Sequence, residues 1–161
     1  MNLRERLVRF KTMRGHGVHS PFAFSLITGV LRPPGRGYGW YPGVEPQGDR
    51  WLSLIFRLAC EFTPATAHGL TPPELRAVRS AVGAVAEPVS GAAPDFEICG
   101  EPPREIVSPV TVIREIAPDG STASFDTLCA TVRRRMVFRG PRAAVIVTRP
   151  DFPEMDWLVN I

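Results

Sequence analysis

Two histidines in the segment RGHGVHSPFAF, residues 14 to 24, are the first side chains in this sequence that could do chemistry. His16 and His19 stand three residues apart, and imidazoles at that spacing can converge on one metal ion or move a proton. A metal site is disfavoured, because no further cysteine, histidine or acid follows at a ligand spacing and the pair falls in a glycine turn. Two interpretations stay open. The histidines hydrogen-bond the turn, or they line a ligand pocket as catalytic candidates.

Other signatures of catalysis are missing from the sequence. It contains no GxSxG, Walker or HExxH motif. The three cysteines, Cys60, Cys99 and Cys129, are too far apart for a CxxC pattern, and each lies in an apolar stretch. We therefore expect buried free thiols in a reducing compartment, which predicts a cytoplasmic protein without a bound metal.

Charged residues are arranged in blocks. Residues 1–16 carry five cationic side chains against one acid, residues 85–128 carry eight acids against two arginines, and residues 133–149 carry six arginines without an acid. Such blocks can bind nucleic acid, but opposite blocks within one small domain offset each other, so nucleic-acid binding is not expected. The longest uncharged run, residues 15–31, is interrupted by His, Ser and Pro, and neither a secretion signal nor a membrane span is predicted.

The chain of 161 residues has the length of one domain, and its 44% apolar and 22% charged content is typical of globular proteins. We expect a single domain over 1–161, with N-terminal helices in 1–31, a loop over 32–48 and an α/β core in 49–161. Apolar residues at helical spacing predict three helices before the core. Ser20 is expected to cap the second helix, with Pro21 at its first position. The predicted apolar faces are Leu3, Leu7 and Phe10; Ala23, Leu26, Ile27 and Val30; and Trp51, Ile55, Leu58 and Phe62.

The core alternates helices with short apolar runs. Thr71-Pro-Pro-Glu74 predicts a helix that begins with a capping box. A last helix is predicted from the apolar spacing of Phe125, Leu128, Val132 and Met136. This alternation favours an α/β sheet, mostly parallel, behind an N-terminal helical layer. The predicted strands lie in 65–70, 84–86, 96–99, 110–116 and 143–147.

The segment RGHGVHSPFAFSLITGVL closely resembles the N-terminal signature of a group of bacterial class I S-adenosylmethionine-dependent methyltransferases, in which an HG-HSPF segment opens a helix ahead of the nucleotide-binding fold. WLSLIFRLACEFTPATA resembles that group's next helix, and AAVIVTRPDFPEMDW its fifth strand and the segment that follows. The resemblance implies a Rossmann-like sheet with ligands at the carboxyl ends of its strands. It also implies final antiparallel strands, which we expect to be missing because the sequence stops at Ile161.

The resemblance further implies a glycine-rich turn that approaches S-adenosylmethionine and an acid that binds its ribose hydroxyls. For the turn the sequence offers one glycine, Gly69, next to His68 and without an acid. Glu87 is the candidate ribose acid, because it follows the run 84–86 and lies 18 residues beyond Gly69. Only a short stretch separates it from Phe96, too short for a crossover helix, so we expect a reduced sheet, or else two of these strands are antiparallel or are not strands. The cofactor site is accordingly predicted to be reduced or lost.

Asp119 and Asp151 each follow a predicted strand and complete the candidate cofactor-binding residues, with a turn role as the alternative. His68 is a candidate base at the end of the first strand, with a plain loop histidine as the alternative. Two functions stay open. The first is a methyltransferase-like enzyme that uses S-adenosylmethionine on an unidentified acceptor. The second is a non-catalytic interaction module that binds a protein partner or a second copy.

Overall fold

The computed structural model describes residues 3–32 and 49–161. Within these ranges the chain is an α/β fold with a six-stranded, mostly parallel mixed sheet, as the sequence predicts, and it is compatible with a Rossmann-like fold. The helices are α1 Leu3–Thr12, α2 Pro21–Ser25, a π-helical continuation Leu26–Leu31, α3 Arg50–Phe62, α4 Pro72–Val82 and α5 Ala123–Thr131. The strands are β1 Ala67–His68, β2 Phe96–Cys99, β3 Val110–Ile113, β4 Arg135–Arg139, β5 Ala144–Thr148 and β6 Met155–Leu158.

The strand order in the sheet is β1-β2-β3-β5-β4-β6. β1, β2 and β3 are parallel to one another, and β4 is parallel to β6. β5 lies between β3 and β4 and is antiparallel to both. The predicted strand 143–147 is therefore confirmed as buried, whereas the expectation that the chain has no final antiparallel strand was wrong. The reason is a tight turn, in which Gly140 N–H donates to the carbonyl of Ala143 at 2.7 Å and reverses the chain between β4 and β5.

Successive side chains of a strand point to opposite faces of the sheet, and an apolar core forms on each face. Val145 and Val147 of β5 pack into a large cluster with the N-terminal helices, α3 and α4. Ala144 and Ile146 point the other way and pack with α5. The sheet is thus a middle layer between helices, which leaves its strand ends as the place where ligands can reach it.

The helices before the core form where the sequence predicts them. Ser20 caps α2 by accepting a hydrogen bond from Ala23 N–H at 3.3 Å, and the chain leaves the helix after Leu31. α3 begins at an Asp49 cap and ends at Thr63, which adopts a left-handed conformation with φ of 42°. Of the predicted loop 32–48, all but residue 32 lies outside the described residues.

α1 forms as predicted, but its apolar stripe does not pack on the sheet. Leu3, Leu7 and Phe10 are 72%, 51% and 51% exposed, while Arg9 is 2% exposed. The Arg9 guanidinium donates to the carbonyls of Arg139 and Val159 and to the Glu5 carboxylate. The hydrogen bonds of Arg9 to these carbonyls decide which side of the helix is buried. The spacing of apolar residues cannot predict such bonds.

Three further expectations about the core need correction. The last helix ends at Thr131 rather than continuing to Met136, because residues 135–139 pair with β5 as strand β4. The predicted strand 84–86 is a single bridge between Ala86 and Thr66, and the predicted strand 65–70 is reduced to two residues. The sheet is therefore reduced at this side. In the part of the chain that is described, no helix has the length and apolar character needed to cross a bilayer.

Candidate functional site

The carboxyl edge of the sheet is the edge at which β1, β2 and β3 end, at His68, Cys99 and Ile113. In open α/β sheets ligands bind in the crevice beyond these strand ends. Three of the candidate residues, His68, Gly69 and Glu87, lie at this edge, next to the N-terminus of α4. The side chains that occupy the edge therefore decide what it can bind.

Gly69 adopts a left-handed backbone conformation in the turn after β1. Its φ is +73°, a left-handed value that favours glycine. A Cβ at this position would stand 2.2 Å from the carbonyl oxygen of Ile98. The glycine is thus needed for a close approach between the β1 turn and strand β2, that is, for packing within the sheet.

The N-terminus of α4 is closed by its own third residue. Glu74 is 2% exposed and forms the predicted capping box, in which Thr71 N–H and Thr71 Oγ1 donate to Glu74 Oε2 at 2.7 and 2.6 Å. Helix N-termini otherwise bind anionic ligand groups through these free N–H donors. At the start of α4, Pro72 and Pro73 carry no N–H, and the Glu74 carboxylate itself occupies the Thr71 N–H.

Two long-range donors hold this carboxylate in place. Arg114, just after β3, donates from Nε to Glu74 Oε1 at 2.9 Å and from Nη2 to the carbonyl of Gly69 at 3.2 Å. Trp51 Nε1 of α3 donates to the same Oε1 at 2.6 Å. Burial raises the pKa of Glu74, but hydrogen bonds from Arg114, Thr71 and Trp51 outweigh it and lower the pKa to about 2. We call these five residues, Trp51, Gly69, Thr71, Glu74 and Arg114, the Glu74 cluster.

His68 and Glu87 lie next to each other at the tip of the same edge. His68 Nδ1 and Glu87 Oε2 are 3.1 Å apart, and the two side chains are 59% and 71% exposed. The contact arises because Ala86 bridges Thr66 in parallel register and so brings Glu87 beside the end of β1. The sequence therefore identified two residues that meet, although it assigned them separate roles as base and ribose ligand.

The two aspartates do not join this group. Asp119 accepts a hydrogen bond from Ser121 N–H at 2.9 Å, which is an Asx turn in the loop after β3. Asp151 follows β5, whose last residue, Thr148, donates to the carbonyl of Pro109 just before β3. Asp151 does follow a strand, but because β5 is antiparallel to β3 it lies at the edge of the sheet opposite His68, Gly69 and Glu87.

His16 and His19 are exposed in the turn between α1 and α2. Within the described residues neither imidazole makes a hydrogen bond, so the expected stabilisation of the turn by their side chains is not seen. The capping role falls to Ser20 alone. Among these same residues, no group of three or more His, Cys, Asp or Glu side chains is placed to hold a metal ion.

Cys99 lies at the end of β2, beside the Gly69 turn, and is the nearest candidate nucleophile. Burial raises the pKa of its thiol to about 11, with the Glu97 carboxylate adding to the shift. The nucleophilic form of cysteine is the thiolate, which is scarce at neutral pH for such a pKa. Cys60, Cys99 and Cys129 are free thiols, but only Cys129 is buried as expected, whereas Cys60 and Cys99 are half-buried.

A cavity of about 640 Å³ opens beside the Glu74 cluster at the same edge of the sheet. Trp51 and Arg114 line it from the cluster side, and Pro141 to Ala143 of the turn between β4 and β5 line it from the other. This cavity could not be predicted from the sequence. Its lining comes from segments far apart in the chain, and the only local signal was the abundance of arginine over lysine.

Comparisons of the chain with models of protein families, with curated proteins and with solved structures find no match. The features of this chain that bear on function are therefore the geometry of the carboxyl edge and the resemblance in the N-terminal segment.

Proposed function

We propose that this chain is a methyltransferase-like protein whose S-adenosylmethionine site has been closed by its own side chains, and that it acts as a non-catalytic binding module. The methyltransferase part of the proposal is supported by the HG-HSPF segment and by an antiparallel strand near the end of the chain, a feature that the resemblance implies. The loss of the cofactor is supported by the geometry at the Gly69 turn.

The observation that carries the proposal is the position of the Glu74 carboxylate. It accepts hydrogen bonds from the N–H and the hydroxyl of Thr71 at the start of α4, where Pro72 and Pro73 carry no N–H, and so brings a negative charge to this helix start. Two carboxylates cannot share these donors without strong repulsion. Because Glu74 is buried and held by Arg114, it cannot swing away without leaving the arginine unpaired.

Gly69 and Glu87 fit the cofactor no better. The Gly69 turn packs against Ile98, and its carbonyl accepts from Arg114, so the glycine serves the sheet and the Glu74 cluster. Glu87 is bonded to His68 instead of standing free for ribose hydroxyls. Methyl transfer needs above all a firmly positioned donor and acceptor, and the described residues of this edge offer no cradle for the donor.

Isothermal titration with S-adenosylhomocysteine tests the proposal without knowledge of an acceptor. We expect no heat of binding at millimolar ligand and an unchanged melting temperature. Micromolar binding that is weakened by Glu87→Ala, but not by the control Glu101→Ala at an exposed position, would refute the loss of the cofactor site. That result would restore the enzyme hypothesis and justify a search for the acceptor.

A further inference from the structure

The cavity beside the Glu74 cluster has an apolar floor. Met13 after α1, Leu31 at the end of the π-helical continuation, Leu54 of α3 and Ile161 line it, with the indole of Trp51 at one side. Met13, Leu31 and Leu54 are at most 7% exposed, so this floor is continuous with the core. A volume of about 640 Å³ lies within the range of small-molecule sites in proteins.

Its polar lining is strongly cationic. Five arginines, Arg32, Arg50, Arg57, Arg114 and Arg142, line the cavity, and no acidic residue of the described chain does so. Arg114 is paired with Glu74, and Arg142 is paired with Glu115 at 2.8 Å. Among the described residues, Arg32, Arg50 and Arg57 have no acidic partner. The cavity therefore carries an excess of positive charge.

Arg57 is the most informative of the three. It is 6% exposed, and its Nε donates to the carbonyl of Val30 at 2.6 Å, which fixes the guanidinium on the cavity wall. Burial lowers the pKa of this arginine, and no carboxylate of residues 3–32 or 49–161 is paired with it to offset the cost of removing the charge from water. A buried cation is expensive unless it is paired, so an anion in the cavity would offset the cost of burying Arg57.

We propose that this cavity binds a small amphipathic organic anion, whose apolar body packs on Leu54, Ile161 and the Trp51 indole and whose carboxylate, phosphate or sulfonate is bound by Arg57 and Arg50. The inference rests on the proposed binding role and gives that role a ligand class. Arginine suits the purpose because its planar guanidinium donates two parallel hydrogen bonds to such groups. The neighbouring Glu74 cluster keeps the Trp51 side of the wall rigid.

The test uses two dyes that differ mainly in one charged group. Anilinonaphthalene sulfonate carries an anionic group on an aromatic body, and phenylnaphthylamine has the same ring systems without the sulfonate. Fluorescence titration of the whole chain should show tighter binding of the anionic dye. Arg57→Met should weaken that binding by about tenfold or more, and the exposed Arg50→Gln by about two- to fivefold, while binding of the neutral dye stays unchanged.

Two control variants separate the cavity from other dye sites. Arg76→Gln removes an exposed arginine from α4, away from the cavity, and should leave both titrations unchanged. Leu7→Ser changes the exposed apolar stripe of α1 and should also have no effect. If Arg57→Met fails to fold, Arg50→Gln still tests the anion site, because the Arg50 side chain is at the surface and its loss should not prevent folding.

Three results would overturn the inference. They are equal affinity for the two dyes, an Arg50→Gln variant that binds the anionic dye like the parent, and loss of binding in Leu7→Ser. The same samples titrated with S-adenosylhomocysteine keep the two proposals apart. Binding of that ligand together with arginine-dependent dye binding would refute only the loss of the cofactor site, whereas arginine-independent dye binding without it would refute only the anion site.

Discussion

Glu74→Gln is the most informative change in the chain, because it removes one charge from the Glu74 cluster and keeps the size of the side chain. In the folded protein the Glu74 carboxyl has a pKa of about 2, compared with an ordinary value of 4.5. It is held by Arg114, whose side chain is 30% exposed, and by neutral donors from Trp51 and Thr71. The variant leaves Arg114 without its only acidic partner among the described residues.

The size of the effect follows from the lowered pKa of Glu74. Each tenfold change in the acidity of a carboxyl group on folding corresponds to about 1.4 kcal/mol, so the carboxylate contributes about 3 kcal/mol at pH 7. Screening at the partly exposed Arg114 reduces this contribution to about 2–3 kcal/mol. Because folding lowers this pKa, the stabilisation is complete above the unfolded-state pKa of about 4.5 and is lost as pH falls toward about 2. At pH 3 about half of it should remain.

Urea denaturation followed by circular dichroism at pH 7 and pH 3 measures this directly. Glu74→Gln should lower the free energy of unfolding by about 2–3 kcal/mol at pH 7 and by about half as much at pH 3. The exposed control, Glu101→Gln, should stay within about 0.5 kcal/mol of the parent at both values. An equal loss at the two pH values would show that packing and not charge is responsible, and no loss at pH 7 would refute the argument for a buried stabilising pair.

Two other changes test how the edge and α1 are held. Gly69→Ala should lower the free energy of unfolding by about 3 kcal/mol or more, because its Cβ would meet the Ile98 carbonyl at 2.2 Å. Gly120 has a similar φ of +81° but open space around it, so Gly120→Ala should lower the free energy of unfolding by about 1 kcal/mol. Equal losses in urea denaturation would mean that the close approach does not matter. Arg9→Met removes buried hydrogen bonds to the sheet and should raise amide hydrogen exchange in α1 by about tenfold or more, while the exposed control Arg4→Met should not. Identical exchange in both variants would contradict the anchoring role of Arg9.

Features that depend on neighbours a few positions away were predictable from the sequence. The Ser20 cap with Pro21 and the capping box of Thr71 and Glu74 were of this kind, because their partners lie within one turn of helix. The strand β5 was also predictable, because a strand that is buried on both faces appears in the sequence as a continuous apolar run. At the candidate site, the same local reasoning placed His68, Gly69 and Glu87 at strand ends.

How these caps, strands and strand-end residues are arranged relative to one another was decided only by the tertiary structure. Glu74 was readable as a cap, but its partner Arg114 lies 40 residues further along, and no local pattern joins them. The sequence indicated that β5 is buried but could not indicate its direction. Because β5 is antiparallel to β3, Asp151 lies at the opposite edge of the sheet. The reason is physical: periodicity reports which residues avoid water, whereas strand register and chain reversal determine which charges meet. The position of Arg57, which has no acidic partner in the part of the chain that is described, and the cavity that it lines follow from that second kind of information.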